Sequence, residues 1–172
     1  MPEPLTVGRA AVWLSRFCFK YYETADDVSP KVMNKMKVYF IYGDKDVGKT
    51  TVCQKIRGFL LKHAIPEISF STFKWENDFR SIFINDEKLI GVYSVGDESR
   101  YLREALRFGH ENKCDILIAA VSTGIKYNRP INEELIPEKD SIEWLTLSSC
   151  ESDDERDRLE DKLVDQILKL LF

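Results

Sequence analysis

No apolar run in this chain approaches the length of about 18 residues that spans a bilayer, and no apolar core leads to a cleavage site of the secretory kind. The expectation is a chain without signal peptide or membrane span, working in the reducing cytoplasm. Cysteine is sparse. Cys18, Cys53, Cys114 and Cys150 include no C-x-x-C pair, which excludes the usual redox and zinc spacings. Cys53 and Cys114 lie among apolar residues and read as small core side chains. The two histidines, His63 and His110, each close a predicted helix, where they suit the C-terminal dipole better than a metal. Internal repeats and low-complexity tracts are missing, and a net charge of −4 argues against nonspecific nucleic-acid binding.

What remains is an ordinary globular composition. The 172 residues are 44% hydrophobic and 31% charged, enough for one domain with a real core and room for an appendage. Charge is uneven, with 12 Lys/Arg against 7 Asp/Glu in residues 1–75 and 13 against 22 in residues 76–172. The more basic half suits an anionic ligand.

That half contains Gly43-Asp44-Lys45-Asp46-Val47-Gly48-Lys49-Thr50, which fits G-x-x-x-x-G-K-[ST] at every fixed position. Lys37-Val38-Tyr39-Phe40-Ile41-Tyr42 before it predicts a buried strand. Val52, Ile56, Phe59, Leu60 and Ala64 after it recur at helical spacing. Gly43 and Gly48 allow backbone conformations that bring amides close to a phosphate. The following helix N-terminus favours an anion. Lys49 can reach terminal phosphates, the Thr50 hydroxyl can ligate Mg²⁺, and Thr51 can donate to a neighbouring phosphate. The stretch resembles the Walker A motif of the P-loop NTPase superfamily, closely over these eight residues and by architecture elsewhere. That resemblance implies a nucleotide cradle from Gly43 to Thr51.

Ahead of the loop, Leu5, Val7, Ala11, Leu14, Phe17, Cys18, Tyr21 and Tyr22 predict a helix over 4–23. Ser29-Pro30 opens a second, short one through Met36. This extension, residues 1–36, either packs on the sheet or forms a partner or self-association surface, for which its many aromatics are suited. The nucleotide-binding domain is 37–172.

Beyond Pro66, which ends the helical pattern, residues 68–73 read as a strand or a switch-like loop. Arg80–Ile84 and Lys88–Tyr93 then predict a hairpin, similar to the switch region of small GTP-binding proteins. Its second strand runs out at Ser94-Val95-Gly96-Asp97. A carboxylate after an apolar strand resembles a Walker B element, so Asp97 is a candidate Mg²⁺ ligand; a turn or helix cap is the other reading. The Asp-x-x-Gly of GTPases is not met, since Arg100 stands at the glycine position.

Residues 98–112 predict a helix with Arg100, Arg103 and Arg107 on one face, either a phosphate clamp or a solvated face shared with Glu104 and Glu111. Arg100, nearest the strand end, is the catalytic candidate. Asn112-Lys113-Cys114-Asp115 matches the guanine-reading letters but ends a helix and precedes the strand Ile116–Val121. The match is therefore a coincidence of letters, and ATP is preferred to GTP. That strand leaves through residues 122–130, which should face the phosphates because ligands gather at strand carboxyl ends. Lys126 and Arg129 are candidate transition-state cations there, against a plain surface loop. Residues 131–140 read as an irregular connection or brief helix. Ile142–Leu147 is the last strand, and Ser148-Ser149-Cys150 after it resembles the base-contacting loop of several P-loop families. Ser152-x-x-Glu155 is a capping box for a closing helix that presents Leu159, Leu163, Val164, Ile167, Leu168 and Leu171 on one face.

These readings converge on a three-layer α/β/α sandwich, with a mostly parallel sheet, one antiparallel hairpin strand and an N-terminal helical extension. The expected activity is Mg²⁺-dependent nucleotide binding with hydrolysis or transfer of the γ-phosphate by Lys49, Arg100, Lys126 or Arg129, with Thr50 and Asp97 on the metal. A small-molecule or nucleotide kinase and a non-catalytic, nucleotide-dependent interaction module are the alternatives.

Overall fold

A computed structural model describes residues 35–74 and 77–172. The N-terminal helices, Cys18 and the proposed aromatic partner surface lie outside the described residues. Lys35 and Met36 are not helical, so the second predicted helix does not extend to Met36.

The described chain is an α/β fold. Its strands are β1 (Lys37–Gly43), β2 (Glu67–Thr72), β3 (Phe79–Asn85), β4 (Lys88–Tyr93), β5 (Ile116–Ser122) and β6 (Ser141–Thr146). Its helices are α1 (Lys49–Lys62), α2 (Ser99–Glu111), α3 (Asn128–Glu134) and α4 (Asp153–Leu171). One sheet runs in the order β2-β3-β4-β5-β1-β6. β4–β5, β5–β1 and β1–β6 pair in parallel. β3 is antiparallel to both its neighbours, so residues 68–72 of the region 68–73 are strand. The β3–β4 turn is two residues, Asp86 at φ 46° and Glu87 at φ 71°, the positive pair that a tight twisted hairpin demands.

Alternation sorts the side chains onto two faces. Tyr39, Ile41, Ile118, Ala120 and Leu145 join Val52, Cys53, Ile56 and Leu60 of α1 and Leu163, Val164 and Ile167 of α4 in one core. On the other face Gly91 lies close to Phe108 of α2 and to Cys114, Leu117 lies close to Gly109 of α2, and α2 packs on α3. Helices thus cover both faces, which is compatible with a three-layer sandwich. Burial pushes the Cys53 and Cys114 thiols up to about 12, and both are free. His63 stacks on Phe59, with ring centroids 3.9 Å apart. No helix among the described residues is long and apolar enough to cross a membrane.

One expectation shifts and another holds. α3 begins at Asn128, inside the stretch read as a loop; Pro130 sits in its first turn, where no backbone donor is needed. Asn112–Asp115 lies at the amino end of β5: the Asp115 carbonyl accepts from Lys37 N at 2.8 Å, and Lys37 is paired with Ile116 at the far end of the sheet from Gly43.

Two glycines test this packing from opposite sides. Gly58 is exposed on α1 with nothing near its missing side chain, so Gly58→Ala should raise the unfolding free energy by about 0.5–1 kcal/mol. A Cβ on Gly96 would lie 2.0 Å from the Ala120 carbonyl oxygen. Backbone cannot rotate away, and Gly96→Ala should cost about 2 kcal/mol or more. Urea titration of both variants measures each sign.

Candidate functional site

Because β1, β4, β5 and β6 run the same way, their carboxyl ends share one sheet edge. The Gly43–Thr50 loop leaves the middle of that edge and is tied down on both sides. Gly43 O accepts from Thr123 N at 3.1 Å after β5, and Tyr42 O accepts from Leu147 N at 2.8 Å after β6. The Thr123 hydroxyl also donates to the Asp44 carboxylate. Asp46 at φ 63° and Gly48 at φ 100° alternate with residues of ordinary hand, the alternation that curls successive N–H groups toward one concave side. Asp tolerates that region through local hydrogen bonding; at 100° glycine is the residue that fits.

The first residue of α1, Lys49, turns back over the loop. Its side chain is buried, and Nζ donates to Gly43 O at 3.2 Å and to Asp44 O. Burial holds its pKa below the ordinary lysine value, opposed by the charges of Asp97, Asp46 and Asp44. A cation with a lowered folded pKa costs stability below that pKa, and the cost fades as pH rises through it. Lys49 is thus kept under electrostatic load, which a nearby anion would relieve.

Across from it two carboxylates converge. Thr50 Oγ1 donates to Asp78 Oδ1 at 3.2 Å, and Ser94 Oγ donates to the same oxygen at 3.1 Å while accepting from Phe79 N at 2.8 Å. Asp97 Oδ1 accepts from Ser122 Oγ at 2.7 Å. β5 separates β1 from β4, so Asp97 reaches the loop only because Ser94–Asp97 continues along β5. Ser122 N donates to Gly96 O at 2.9 Å there. Asp46, Gly48, Lys49, Thr50, Thr51, Asp78 and Ser94–Asp97 enclose a cleft of about 250 Å³.

The other predicted residues fall elsewhere. Val47 is buried in the core, while Asp44 and Lys45 are exposed on the outside of the loop. Arg100 pairs with Glu98 at 2.9 Å. Arg103 pairs with Glu133 at 2.6 Å, Arg107 with Glu134 at 2.8 Å and Arg129 with Glu133 at 2.6 Å. Arg103 and Arg107 thus form a ladder between α2 and α3, whereas Arg100 pairs beside its own helix start and Arg129 within α3. Lys126 receives the Ser99 hydroxyl on its backbone carbonyl. Arg100, Lys126 and Arg129 are not among the residues that line the cleft.

Nothing in the sequence assigns Asp78 a role, because the rule of strand carboxyl ends does not reach it. β3 is antiparallel, so its amino end lies on the same edge. Glu160 gave no sequence signal beyond being a carboxylate on the apolar side of α4. It is 2% exposed, and a Cβ added at Gly48 would meet its Oε1 at 2.1 Å. Its Oε2 pairs with Lys55 at 2.9 Å, and Lys55 also holds Asp161 at 2.8 Å. Burial opposes the Lys55 charge, but Asp161 and Glu160 outweigh it and raise its pKa. Among the described residues no three His, Cys, Asp or Glu side chains gather as a metal cage.

Glu160 makes the loop and α4 one unit. Gly48→Ala should destabilise through both its φ and this contact, and Glu160→Ala through the loss of Lys55's buried partner. The double variant should cost about 1 kcal/mol less than the sum, since the clash disappears; a double-mutant cycle by chemical denaturation that is additive would disprove the contact. Comparisons with protein-family models, curated proteins and solved structures find no match to this chain.

Proposed function

We propose that the chain is a P-loop protein that binds a magnesium–nucleotide, ATP in preference to GTP, and hydrolyses or transfers the γ-phosphate. The observation that carries this is Lys49: a buried lysine with a lowered pKa at the mouth of a two-glycine loop, facing the Thr50 hydroxyl and two carboxylates across one cleft. A polyphosphate fits that donor set. Loop amides and the α1 N-terminus supply partial positive charge, and Lys49 a full one.

Lys49 would exchange its two loop carbonyls for phosphate oxygens. Thr50, Asp78 and Asp97 are the residues to hold Mg²⁺ and its water, and the ion would supply charge neutralisation on the transferring group. Asp78 fixes the Thr50 hydroxyl, and Ser122 fixes Asp97. The placement of Asn112–Asp115 at the far end of β5 supports ATP over GTP. Arg100, Lys126 and Arg129 do not line the cleft and are poorly placed to assist, which leaves charge stabilisation to Lys49, the loop amides and the ion. A cytoplasmic location and a partner surface in residues 1–36 belong to the same proposal.

Lys49→Met tests it. Replacing a buried, loaded cation with an apolar chain of similar length should leave the melting temperature of the free protein unchanged or raised. Mg-ATP at a hundredfold excess over its Kd should stabilise the wild type by about 2.7 kcal/mol and leave Lys49→Met unmoved. Binding should also raise the Lys49 pKa, so the complex takes up protons and affinity falls as pH rises through the pKa of the free form; calorimetry in buffers of different ionisation enthalpy reads this. No stabilisation by any nucleotide would end the proposal. Labelled ATP, with and without nucleosides and monophosphates, then separates hydrolase, kinase and interaction module.

A further inference from the structure

β6 is an edge strand, and its two faces differ. Leu145 is buried in the α1–α4 core, whereas Ile142, Trp144 and Thr146 line an open cleft of about 420 Å³ on the opposite face, together with Tyr42 of β1 and Tyr127 of the β5–α3 loop. That volume is in the range of small-molecule sites. Trp144 stays 38% exposed although it leans on Phe40 with ring centroids 4.8 Å apart. Tyr42 meets it edge-on at 5.2 Å and 82°, and Tyr127 lies 5.0 Å away. The indole is thus braced from the side by two tyrosines, with Asn128 and Thr146 supplying polar groups at the cleft.

The position carries more than the composition. Tyr42 directly precedes Gly43, and Tyr127 stands four residues after Thr123, whose N–H holds the Gly43 carbonyl. The carboxylates of the first cleft lie to the β4–β5 side of the Gly43–Thr50 loop, and the aromatic cleft lies to its β6 side. On the phosphate-loop reading, a nucleotide with its terminal phosphate beside Lys49, Thr50 and Asp97 would extend away from those carboxylates, toward β6. The occupant that suits a braced indole with flanking amide and hydroxyl groups is a planar heteroaromatic ring, for which base–aromatic stacking is an effective attraction.

We infer that the Tyr42–Tyr127–Trp144 cleft is a nucleobase site, filled by the base of the nucleotide whose phosphates the Gly43–Thr50 loop holds. This rests on the phosphate-loop reading for its choice of ligand, and the test separates the two. Wild type, Trp144→Leu and Tyr127→Ala are titrated with Mg-ATP, with magnesium tripolyphosphate, which has no base, and with adenosine, which has no phosphate. Tryptophan emission and heat are followed. Adenosine should quench emission in the wild type and not in Trp144→Leu, which assigns the signal among the three tryptophans. Both variants should bind Mg-ATP about tenfold or more weakly while tripolyphosphate affinity stays within about twofold. Tyr127→Ala keeps the test available should Trp144→Leu fold poorly.

Adenosine without effect on emission, or equal losses for Mg-ATP and tripolyphosphate, would overturn the base site. Tripolyphosphate that fails to bind the wild type, with adenosine quenching intact, would overturn the phosphate loop and leave the base site standing. Quenching that persists under saturating Mg-ATP would overturn the bound nucleotide as the source and assign the cleft to a second nucleoside.

Discussion

Everything at the upper edge of this sheet depends on burying one ammonium group inside a turn of backbone. Lys49 is 6% exposed, and its charge is met by carbonyl oxygens of its own loop rather than by a salt-bridge partner. A cation in that position needs a rigid surround, because any slack would let it swing to water and recover its hydration. The surround is supplied from outside the loop: hydrogen bonds from Thr123 N and Leu147 N at its base, and the Glu160 side chain packed close against Gly48. The loop is thus the product of four elements, β1, β5, β6 and α4, rather than of its own eight residues.

The same edge shows why sheet topology matters more than strand count. With β5 inserted between β1 and β4, a carboxylate at the end of β4 would fall short of the loop if the chain turned off at Tyr93. It does not turn off. Ser94–Asp97 follows β5, which requires Gly96 to lie against the Ala120 carbonyl, and the Ser122 hydroxyl then donates to Asp97. Reversing β3 brings Asp78 up from the other direction, and Ser94 bridges the two segments through Asp78 and Phe79 N.

Those details mark the boundary of what could be read from residues alone. Strand, loop and first helix were legible because a period-2 run, two glycines and a period-3.6 run are local signals. So was the α4 cap, where Ser152 Oγ accepts from Glu155 N at 3.2 Å. The α2 arginines were legible as a face but not in their use, since their partners, Glu133 and Glu134, sit on α3, whose start at Asn128 was hidden inside an apparent loop. Asp78 and Glu160 were illegible for a physical reason: each owes its position to pairing between segments distant in sequence, and nothing in a carboxylate's neighbours announces which edge or which helix face will meet it. Trp144 was read only as a strand residue, because exposure on an edge strand depends on which helices cover that face.

The electrostatics of the cleft bear on the form in which a polyphosphate would enter it. Asp44, Asp46 and Asp97 all act on Lys49, and Asp78 lies within hydrogen-bonding reach of Thr50. A single buried lysine and a helix N-terminus face several carboxylates, so a bare triphosphate would meet repulsion as well as attraction. A divalent cation changes the sign of that balance. With it, Asp78 and Asp97 turn from groups that oppose the ligand into groups that favour its metal side, while Lys49 and the loop amides keep the phosphate side. On the proposed reading the acids are a filter: they cost little to a magnesium–nucleotide complex and a great deal to a metal-free one. On the same reading the distribution would also set the ligand's direction, metal toward the β4–β5 side and the rest of the molecule toward the aromatic rings beside β6.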